Sequence, residues 1–148
     1  MEKTFVMLKP GILQRRIVGE IITRLERKGL SIIALKMLHI DRETAETHYH
    51  EHKGKDFYKP LIEYMISSPC IAMVISGEHA VSKLRRLIGA TKEEDALAGT
   101  IRGDYASETR MNVIHASDCP DSAEREIAIY FSPDEIFTYE DTNAKWLL

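Results

Sequence analysis

The residue best suited to chemistry in this sequence is a histidine at the end of a predicted β-strand. His115 follows the apolar residues Val113 and Ile114 and precedes the polar residues Ser117 and Asp118. α/β proteins commonly place reactive groups where a strand ends beside the start of a helix. A neutral imidazole has a lone pair available at neutral pH and can accept a phosphoryl group if its other nitrogen is held. Taken alone, however, a histidine at a strand end is more often a structural residue.

A carboxylate that can hold this ring lies in the next predicted element. Glu126 follows His115 by 11 residues and falls within a predicted helix. It can return to orient the imidazole, either directly or through Ser117. The sequence alone does not determine which ring nitrogen is held and which one is left to react.

Three cationic residues in separate parts of the chain can supply the charge that such a reaction needs. Lys9 ends the first predicted strand, Arg85 lies on a predicted helix and Arg102 lies in a long loop. A polyphosphate requires several fixed positive donors, and arginine can donate two parallel hydrogen bonds to phosphate oxygens. Phosphoryl transfer depends mainly on positioning and charge neutralisation, so together these residues would form the catalytic apparatus. Each of them alone is equally compatible with a solvated surface.

Other candidate motifs are weaker. Phe57 offers a ring to a nucleotide base, although an aromatic residue at a helix start is more often a core anchor. The histidines between His48 and His52 alternate along the chain and do not share a helix face, so we interpret them as a solvated helix end rather than a metal site. The sequence contains neither a glycine-rich P-loop motif nor GxGxxG, and it therefore gives no support for a P-loop or a dinucleotide-binding fold.

These residues must be positioned by a small set of strands and helices. Short apolar runs predict four strands, and apolar residues at helical spacing predict the helices. The strands are expected at residues 4–8, 30–40, 70–75 and 111–115, and the helices at 17–25, 41–49, 57–66, from 78 onward and at 121–130. Residues 89–110 show no periodicity and predict a long loop, which in a compact domain is usually functional. The tail after Pro133 is expected to pack over the body.

The order of these elements predicts the fold. Strand, helix, strand, strand, helix and strand form the split βαβ pattern of an α/β (α+β) sandwich. We therefore expect a ferredoxin-like βαββαβ fold with a four-stranded antiparallel sheet and added helices. The chain has 148 residues, a length that suits one domain with a substantial core. No repeats or linkers are evident, so residues 1–148 are interpreted as a single domain.

Composition narrows the classes of partner. The chain is 44% hydrophobic and 29% charged, with a formal net charge of −3, so a broad nucleic-acid or membrane surface is not expected. Cys70 and Cys119 are the two cysteines, too few for a disulfide framework. No segment approaches the about 20 apolar residues that span a bilayer, and no signal-peptide pattern opens the chain. We expect a cytoplasmic protein.

Several stretches taken together resemble the nucleoside diphosphate kinases, and the resemblance covers nearly the whole chain without an insertion or deletion. The most specific stretch runs from Asn112 through His115 to Asp118 and continues with Ser-Ala and Glu126. The other matching stretches are residues 4–10, 18–22, 48–49 and 99–104. Independent matches at the family's spacing outweigh the structural explanations that each residue has when it is taken singly.

The resemblance implies a role for each matching residue. His115 resembles the family's phosphorylated nucleophile, which carries its phosphate on the pros nitrogen, and Glu126 resembles its orienting partner. Phe57 resembles the ring on which the base stacks, with Leu61 beside it. The residues that resemble the family's phosphate and sugar ligands are Lys9, Tyr49, Arg85, Thr91, Arg102 and Asn112. Among these, the lysine and the asparagine would reach the ribose hydroxyls, and the arginines and the threonine would hold the phosphates.

The resemblance also implies the reaction and its partners. In the family, the γ-phosphate of a nucleoside triphosphate, typically ATP, passes to the histidine and then to a nucleoside diphosphate in a ping-pong reaction. Mg²⁺ is carried by the nucleotide phosphates, with no direct metal ligand expected from the protein. The family forms homotetramers and homohexamers. Two alternatives remain, a non-catalytic nucleotide-binding regulatory module and a histidine phosphotransfer protein.

The chain departs from the family pattern at four places. Gly11-Ile12 stands where Asp-Gly is usual, and Ala116 replaces the glycine after the histidine, which restricts the backbone there. Glu93 stands where a loop proline is common, so loop rigidity and subunit packing are in doubt. Thr109 occupies a position near the base that is usually apolar. None of these changes removes the histidine or a cation, so we expect activity, with an altered rate or stability.

Overall fold

A computed structural model describes residues 1–147 and contains one four-stranded antiparallel sheet in this part of the chain. The strand order is β2-β3-β1-β4, the arrangement that a ferredoxin-like fold requires, and the predicted fold class is confirmed. The strands are β1 (Glu2–Leu8), β2 (Ser31–Leu38), β3 (Cys70–Gly77) and β4 (Ile114–Ala116).

Helices connect and cover these strands. Their bounds are α1 (Ile12–Arg15), α2 (Val18–Arg27), α3 (Arg42–His48), α4 (Tyr58–Met65), α5 (Ala80–Ile88), α6 (Ile101–Tyr105), α7 (Pro120–Tyr130) and α8 (Ala144–Leu147). Short 3-10 turns occur at His50–His52, Glu93–Asp95 and Pro133–Glu135. Among the described residues, none of the helices is long and apolar enough to cross a bilayer.

The sheet is buried on both faces, which explains why its central strands are apolar over residues 5–8 and 70–75. In β1, Val6 and Leu8 join one core and Phe5 and Met7 join the other. Successive side chains of a strand point to opposite faces, so a strand covered on both sides has no polar face. Helices α2 and α5 contribute to the first core, and the added helices α3, α4 and α7 form the second.

The fourth strand is shorter than predicted, because a tight turn precedes it. Residues 111–115 were expected to form the strand, but β4 begins only at Ile114. Val113 has a φ of 77°, and the Ile114 amide donates to the Asn112 carbonyl at 2.9 Å. This is a γ-turn with positive φ, a strained conformation for a β-branched residue. It turns Asn112 away from the strand direction.

The long segment between α5 and β4 is more regular than the expected loop. It contains α6, whose first turn is capped by the Thr100 hydroxyl accepting from the Gly103 amide at 3.0 Å. Arg102, expected in a loop, therefore lies on a helix. The prediction failed because α6 spans only five residues, too short for a helical period to show.

The tail lies against the outer edge of β2, in agreement with the expectation that it packs over the body. The Phe137 amide donates to the Ile33 carbonyl at 2.9 Å, and the Tyr139 hydroxyl donates to the Ile32 carbonyl at 2.8 Å. These bonds cover only one end of the edge strand.

Candidate active site

His115 lies in the middle of β4 and faces the core built by the added helices. It pairs with Met7 of β1, whose side chain belongs to that core, and directly opposed residues project to the same face. The His115 side chain is 21% exposed. It therefore lies between the core and solvent, so that one edge of its ring remains accessible.

Glu126 of α7 holds the other edge of this ring. Its Oε2 atom pairs directly with Nε2 of His115, so the contact is direct and does not pass through Ser117, the alternative left open by the sequence. Among residues 1–147, the buried Ser117 hydroxyl has no hydrogen-bond partner. Because Nε2 is occupied by the carboxylate, Nδ1 is the ring nitrogen left for other chemistry.

The protonation states of His115 and Glu126 suit a nucleophilic histidine. Burial is the main cause that lowers the pKa of His115, and it outweighs the opposing effect of Glu126. Burial works in the opposite direction on Glu126, but hydrogen bonds from His115 and His48 bring the pKa of that carboxyl well below its usual range. A neutral imidazole that donates from Nε2 to an ionised carboxylate carries its lone pair on Nδ1.

Lys9 and Asn112 form a buried pair beside this ring. Lys9 Nζ donates to Asn112 Oδ1 at 2.6 Å, and the Lys9 amide donates to the Val113 carbonyl at 2.9 Å. Asn112 Nδ2 in turn donates to the Thr91 carbonyl at 3.2 Å. The structure thus links three residues that the sequence places far apart, Lys9, Thr91 and Asn112.

The two arginines are anchored on carbonyl groups of β4. One guanidinium nitrogen of Arg102 donates to the Ile114 carbonyl at 2.7 Å and the other to the Gly89 carbonyl at 3.2 Å. Arg85 donates to the Ala116 carbonyl at 3.3 Å. The strand that carries the histidine therefore also fixes both arginines around it.

These cations are crowded and poorly solvated. Burial and then the charge of Arg102 lower the pKa of Lys9 to about 7. Burial and then the charge of Arg85 lower the pKa of Arg102 to about 10. Lys9 and Arg102 are only 7% and 3% exposed, and an uncompensated buried charge is costly. The cluster of Lys9, Arg85 and Arg102 therefore favours the binding of an anion.

Two buried polar groups near this cluster also lack a partner. Among the described residues, the Tyr49 hydroxyl and Nε of Arg102 accept or donate no hydrogen bond. The Tyr49 ring lies 6.2 Å from the His115 ring, centroid to centroid. Buried polar groups are normally satisfied, so an external ligand is the natural partner for them.

An aromatic series connects this cluster to Phe57 at the start of α4. The rings of Tyr49 and His52 are 6.4 Å apart and those of His52 and Phe57 are 5.2 Å apart. Phe57 is 43% exposed, unlike a core anchor, and Leu61 follows one helical turn later, with its amide bonded to the Phe57 carbonyl at 3.0 Å. An exposed ring at this position can stack on a flat ligand.

His48 is the site residue that sequence reasoning missed. It was placed in a solvated helix end, but it is 2% exposed. Its Nε2 bonds the same Glu126 oxygen at 2.5 Å, and its Nδ1 bonds the Tyr130 hydroxyl at 2.7 Å. The interpretation was wrong because α3 ends at His48, so His48 faces the core while the next turn of chain, with His50 and His52, faces outward. The apolar Ala45 three residues earlier was the available signal.

The same three side chains are the group best placed to hold a metal ion in the described part of the chain. Ligand atoms of His48, His115 and Glu126 lie within 4.8 Å of one another. However, both histidine nitrogens already bond one carboxylate oxygen. This spacing suits a hydrogen-bond network, since a tetrahedral metal would separate its ligand atoms further.

Two of the residues that depart from the family pattern, Glu93 and Thr109, bond each other. The Glu93 amide donates to the Thr109 hydroxyl at 3.0 Å, a bond that neither a proline at 93 nor an apolar residue at 109 could form. It joins the two ends of the segment that carries α6. Gly11 adopts a φ of 95° before α1, and Ala116 fits within β4.

The site combines an imidazole nitrogen that is free of the carboxylate, buried cations near the ring, and an exposed aromatic ring further along. This is the arrangement expected of a protein that transfers phosphoryl groups from nucleotides. Comparisons with known proteins agree. A family model described as nucleoside diphosphate kinase matches residues 2–136. The chain belongs to the nucleoside diphosphate kinase family. It is accordingly an enzyme, a kinase that transfers phosphate between nucleotides.

Individual relatives are similar over their full length. The chain is 54% identical to the nucleoside diphosphate kinase of Methanobrevibacter smithii, covering 98% of this chain and 97% of the relative. It is 53% identical to that of Archaeoglobus fulgidus, covering 99% and 97%. Among solved structures, a halophilic nucleoside diphosphate kinase from Halobacterium salinarum in complex with CDP matches with a TM-score of 0.97 and 44% identity, covering 99% and 98% of the two chains.

Proposed function

We propose that the enzyme works by a ping-pong mechanism in which Nδ1 of His115 carries the phosphate. In the first half-reaction, the Nδ1 lone pair attacks the γ-phosphorus of a nucleoside triphosphate, typically ATP. The bond from that phosphorus to the β–γ bridging oxygen breaks, and the nucleoside diphosphate leaves. In the second, a terminal oxygen of another diphosphate attacks the same phosphorus, and the P–N bond returns its electrons to Nδ1. The observation that carries this proposal is the direct Glu126 contact to Nε2.

The surrounding residues have distinct roles in this proposal. Glu126 keeps Nε2 protonated through both steps. Arg85, Arg102 and the Thr91 hydroxyl hold the phosphates, with the Tyr49 hydroxyl nearby, while Lys9 and Asn112 reach the ribose hydroxyls. The base stacks on Phe57 beside Leu61, and this contact discriminates little between bases because every base offers a π-face. The positive charges of Lys9, Arg85 and Arg102 lie close together, which supports the binding of a polyphosphate.

A divalent cation is expected in this family, and we propose that it is Mg²⁺. Hard cations prefer oxygen ligands, and the residues assigned above to the phosphates offer cations and neutral donors. The phosphate oxygens of the nucleotide would therefore hold the ion. It supplies charge neutralisation of the transferring phosphate.

We further propose that residues 1–148 form a single domain which assembles as a homotetramer or homohexamer and works in the cytoplasm. The exposed apolar side chains of Leu35 and Met37 on the edge strand β2 support self-association. Cys70 and Cys119 are free thiols, which fits a reducing compartment. Neither a membrane nor a specific nucleic-acid partner is part of the proposal.

The experiment that tests the mechanism is phosphate exchange with and without the proposed nucleophile. The wild-type protein, incubated with labelled ATP and Mg²⁺, is expected to retain acid-labile, base-stable label. His115→Ala is expected to bind nucleotide but to lose both the label and the exchange between ATP and any diphosphate. Substantial exchange by a folded His115→Ala protein would show that another group is the nucleophile.

A further inference from the structure

One oxygen of Glu126 contacts two histidines. Only one of them, His115, has a role in the proposed phosphate chemistry. Glu126 Oε2 contacts Nε2 of His115 and Nε2 of His48. The His48 and His115 rings meet edge to face, with centroids 4.8 Å apart. Since Glu126 is ionised, both nitrogens act as donors to it. His48 therefore competes with His115 for the negative charge of the same oxygen.

The other ring nitrogen of His48 bonds a third residue, Tyr130. A neutral His48 that donates from Nε2 has a lone pair on Nδ1, and this nitrogen lies 2.7 Å from the Tyr130 hydroxyl, which then donates to it. The His48 ring is stacked on Tyr49, with centroids 4.2 Å apart and planes within 13°. The Tyr130 ring is stacked on Phe5 at 4.8 Å. Packing thus fixes the ring, the Glu126 carboxylate requires the proton on Nε2, and the Tyr130 hydroxyl bonds the remaining nitrogen.

We propose that His48 is a positioning residue: by donating to the Glu126 oxygen that also holds His115, it fixes the carboxylate and moderates its pull on the His115 ring, so that Nδ1 of His115 remains a free, neutral acceptor of phosphate. Tyr130 supports this role through His48. The inference rests on the proposed phosphohistidine mechanism and adds to it two residues, His48 and Tyr130, that were not assigned to the nucleotide.

The direction of the effect follows from charge. If His48 no longer donates, Glu126 Oε2 is less neutralised and attracts a positive imidazolium more strongly. The pKa of His115 then rises, and at low pH more of the ring is protonated on both nitrogens and cannot attack phosphorus. The other titratable or charged groups around these side chains do not change in the variants below. These groups are Lys9, Tyr49, Arg85, Arg102 and Arg125.

Two substitutions at the same position separate this role from packing. His48→Phe keeps an aromatic ring but removes the donor. His48→Gln keeps a donor near the place of Nε2. The rate of phosphoenzyme formation with ATP and Mg²⁺ is measured from pH 3.5 to 8, a range that includes the His115 pKa of about 4. We expect the acid limb of the profile to move up by about one pH unit in His48→Phe, a loss that approaches tenfold only at the acid end, and to remain near the wild-type position in His48→Gln.

The outcomes that would overturn the proposal are distinct from a failure of the mechanism itself. If His48→Phe lowers the rate equally at every pH, His48 has a packing role only. If the wild-type protein never labels at His115, the proposed mechanism fails, whatever His48 does.

A second measurement needs no folded variant at position 48. Nitrogen-15 NMR of the wild-type rings is expected to show His48 protonated on Nε2 and unprotonated on Nδ1, and a spectrum with the opposite tautomer would overturn the proposal. Tyr130→Phe, which keeps the ring against Phe5, is expected to shift the His115 titration upward by less than His48→Phe does. An unchanged His115 titration in this variant would remove Tyr130 from the network.

Discussion

At the residue scale, the site depends on charges that the protein stabilises poorly by itself. Lys9 is buried beside Arg102, and its pKa falls to about 7 from an ordinary value of 10.5. Within residues 1–147, the hydrogen bond of its ammonium group goes to a neutral amide, that of Asn112. A buried cation without a carboxylate partner lowers the stability of the folded state. The binding of an anionic ligand is expected to offset this loss of stability.

The buried lysine leads to a prediction about stability and pH. Between about pH 7 and 10.5 the unfolded chain holds a proton on Lys9 that the folded chain has lost, so the stability of the nucleotide-free protein rises with pH across this window. The gain attributable to Lys9 is at most about 5 kcal/mol over the whole window, and about 3 kcal/mol of it falls between pH 6.5 and pH 9.5. Denaturant unfolding at pH 6.5 and pH 9.5 measures it.

Lys9→Met is the matched control for this measurement, because it keeps the length of the side chain and removes its charge. The difference in stability between the two pH values is expected to shrink in the variant by the contribution of Lys9. Equal pH slopes in both proteins would mean that Lys9 is not destabilised by burial.

His48 shows what sequence patterns cannot supply at this scale. Residue type and spacing selected His115, Glu126 and the three cations as candidates, since each type is suited to phosphate chemistry. Whether a histidine at a helix end faces core or solvent depends on how that helix packs, and α3 is only seven residues long. The contact between His48 and Glu126 spans 78 residues of sequence, and no local pattern encodes it.

At the element scale, α6 holds Arg102 in place through an unusually close backbone contact. A Cβ atom at Gly103 would collide with the Leu97 carbonyl and press against the Thr100 hydroxyl that caps the helix. The residue is glycine because the loop and the first turn of α6 leave no room for a side chain. Arg102 precedes it and depends on the same turn.

Gly103 is not one of the proposed site residues, but its replacement is therefore expected to lower the exchange activity. Gly103→Ala should displace α6, with a loss of about 1–3 kcal/mol of stability and a fall in exchange rate of about tenfold or more. Gly19→Ala on α2 is the control, because nothing lies within 4 Å of the added atom, and it should be neutral or stabilising by up to about 1 kcal/mol. If the exchange rate and the melting temperature of Gly103→Ala equalled those of the wild-type protein, the proposed role of α6 in holding Arg102 would be contradicted.

The elements that were predicted well are those whose apolar pattern is long. β1, β3 and α2 were located to within a few residues, because each buries a continuous run or a clear stripe. β4 was predicted to begin three residues too early and α6 was not predicted, since their bounds are set by the γ-turn at Val113 and the cap at Thr100. Both are local hydrogen-bond arrangements that hydrophobic periodicity does not report.

At the scale of the whole molecule, the sheet leaves part of one edge uncovered. The tail bonds the backbone carbonyls of Ile32 and Ile33 and the side chains of Ser31 and Lys36 in β2, while Leu35 and Met37 remain 49% and 61% exposed. The ferredoxin-like fold was predicted from the order of the elements, and the observed strand order is the one that this fold requires. Which surfaces associate could not be predicted, because exposure depends on the final packing of the helices and the tail.

This exposed edge predicts self-association. Light scattering of the wild-type protein is expected to give four or six subunits. The double substitution Leu35→Lys and Met37→Lys places charges on the edge strand and is expected to yield smaller species, because charged residues oppose edge-to-edge pairing. A wild-type protein that is monomeric at micromolar concentration would contradict the proposed assembly.

The central claim is that Nδ1 of His115 accepts the phosphate while Glu126 holds Nε2. The most direct test is phosphorus–nitrogen NMR correlation on the phosphoenzyme made from ATP and Mg²⁺ with nitrogen-15-labelled histidine. The account predicts phosphorus bonded to Nδ1 of His115 and a proton on Nε2. Phosphorus on Nε2, or on any residue other than His115, would contradict it.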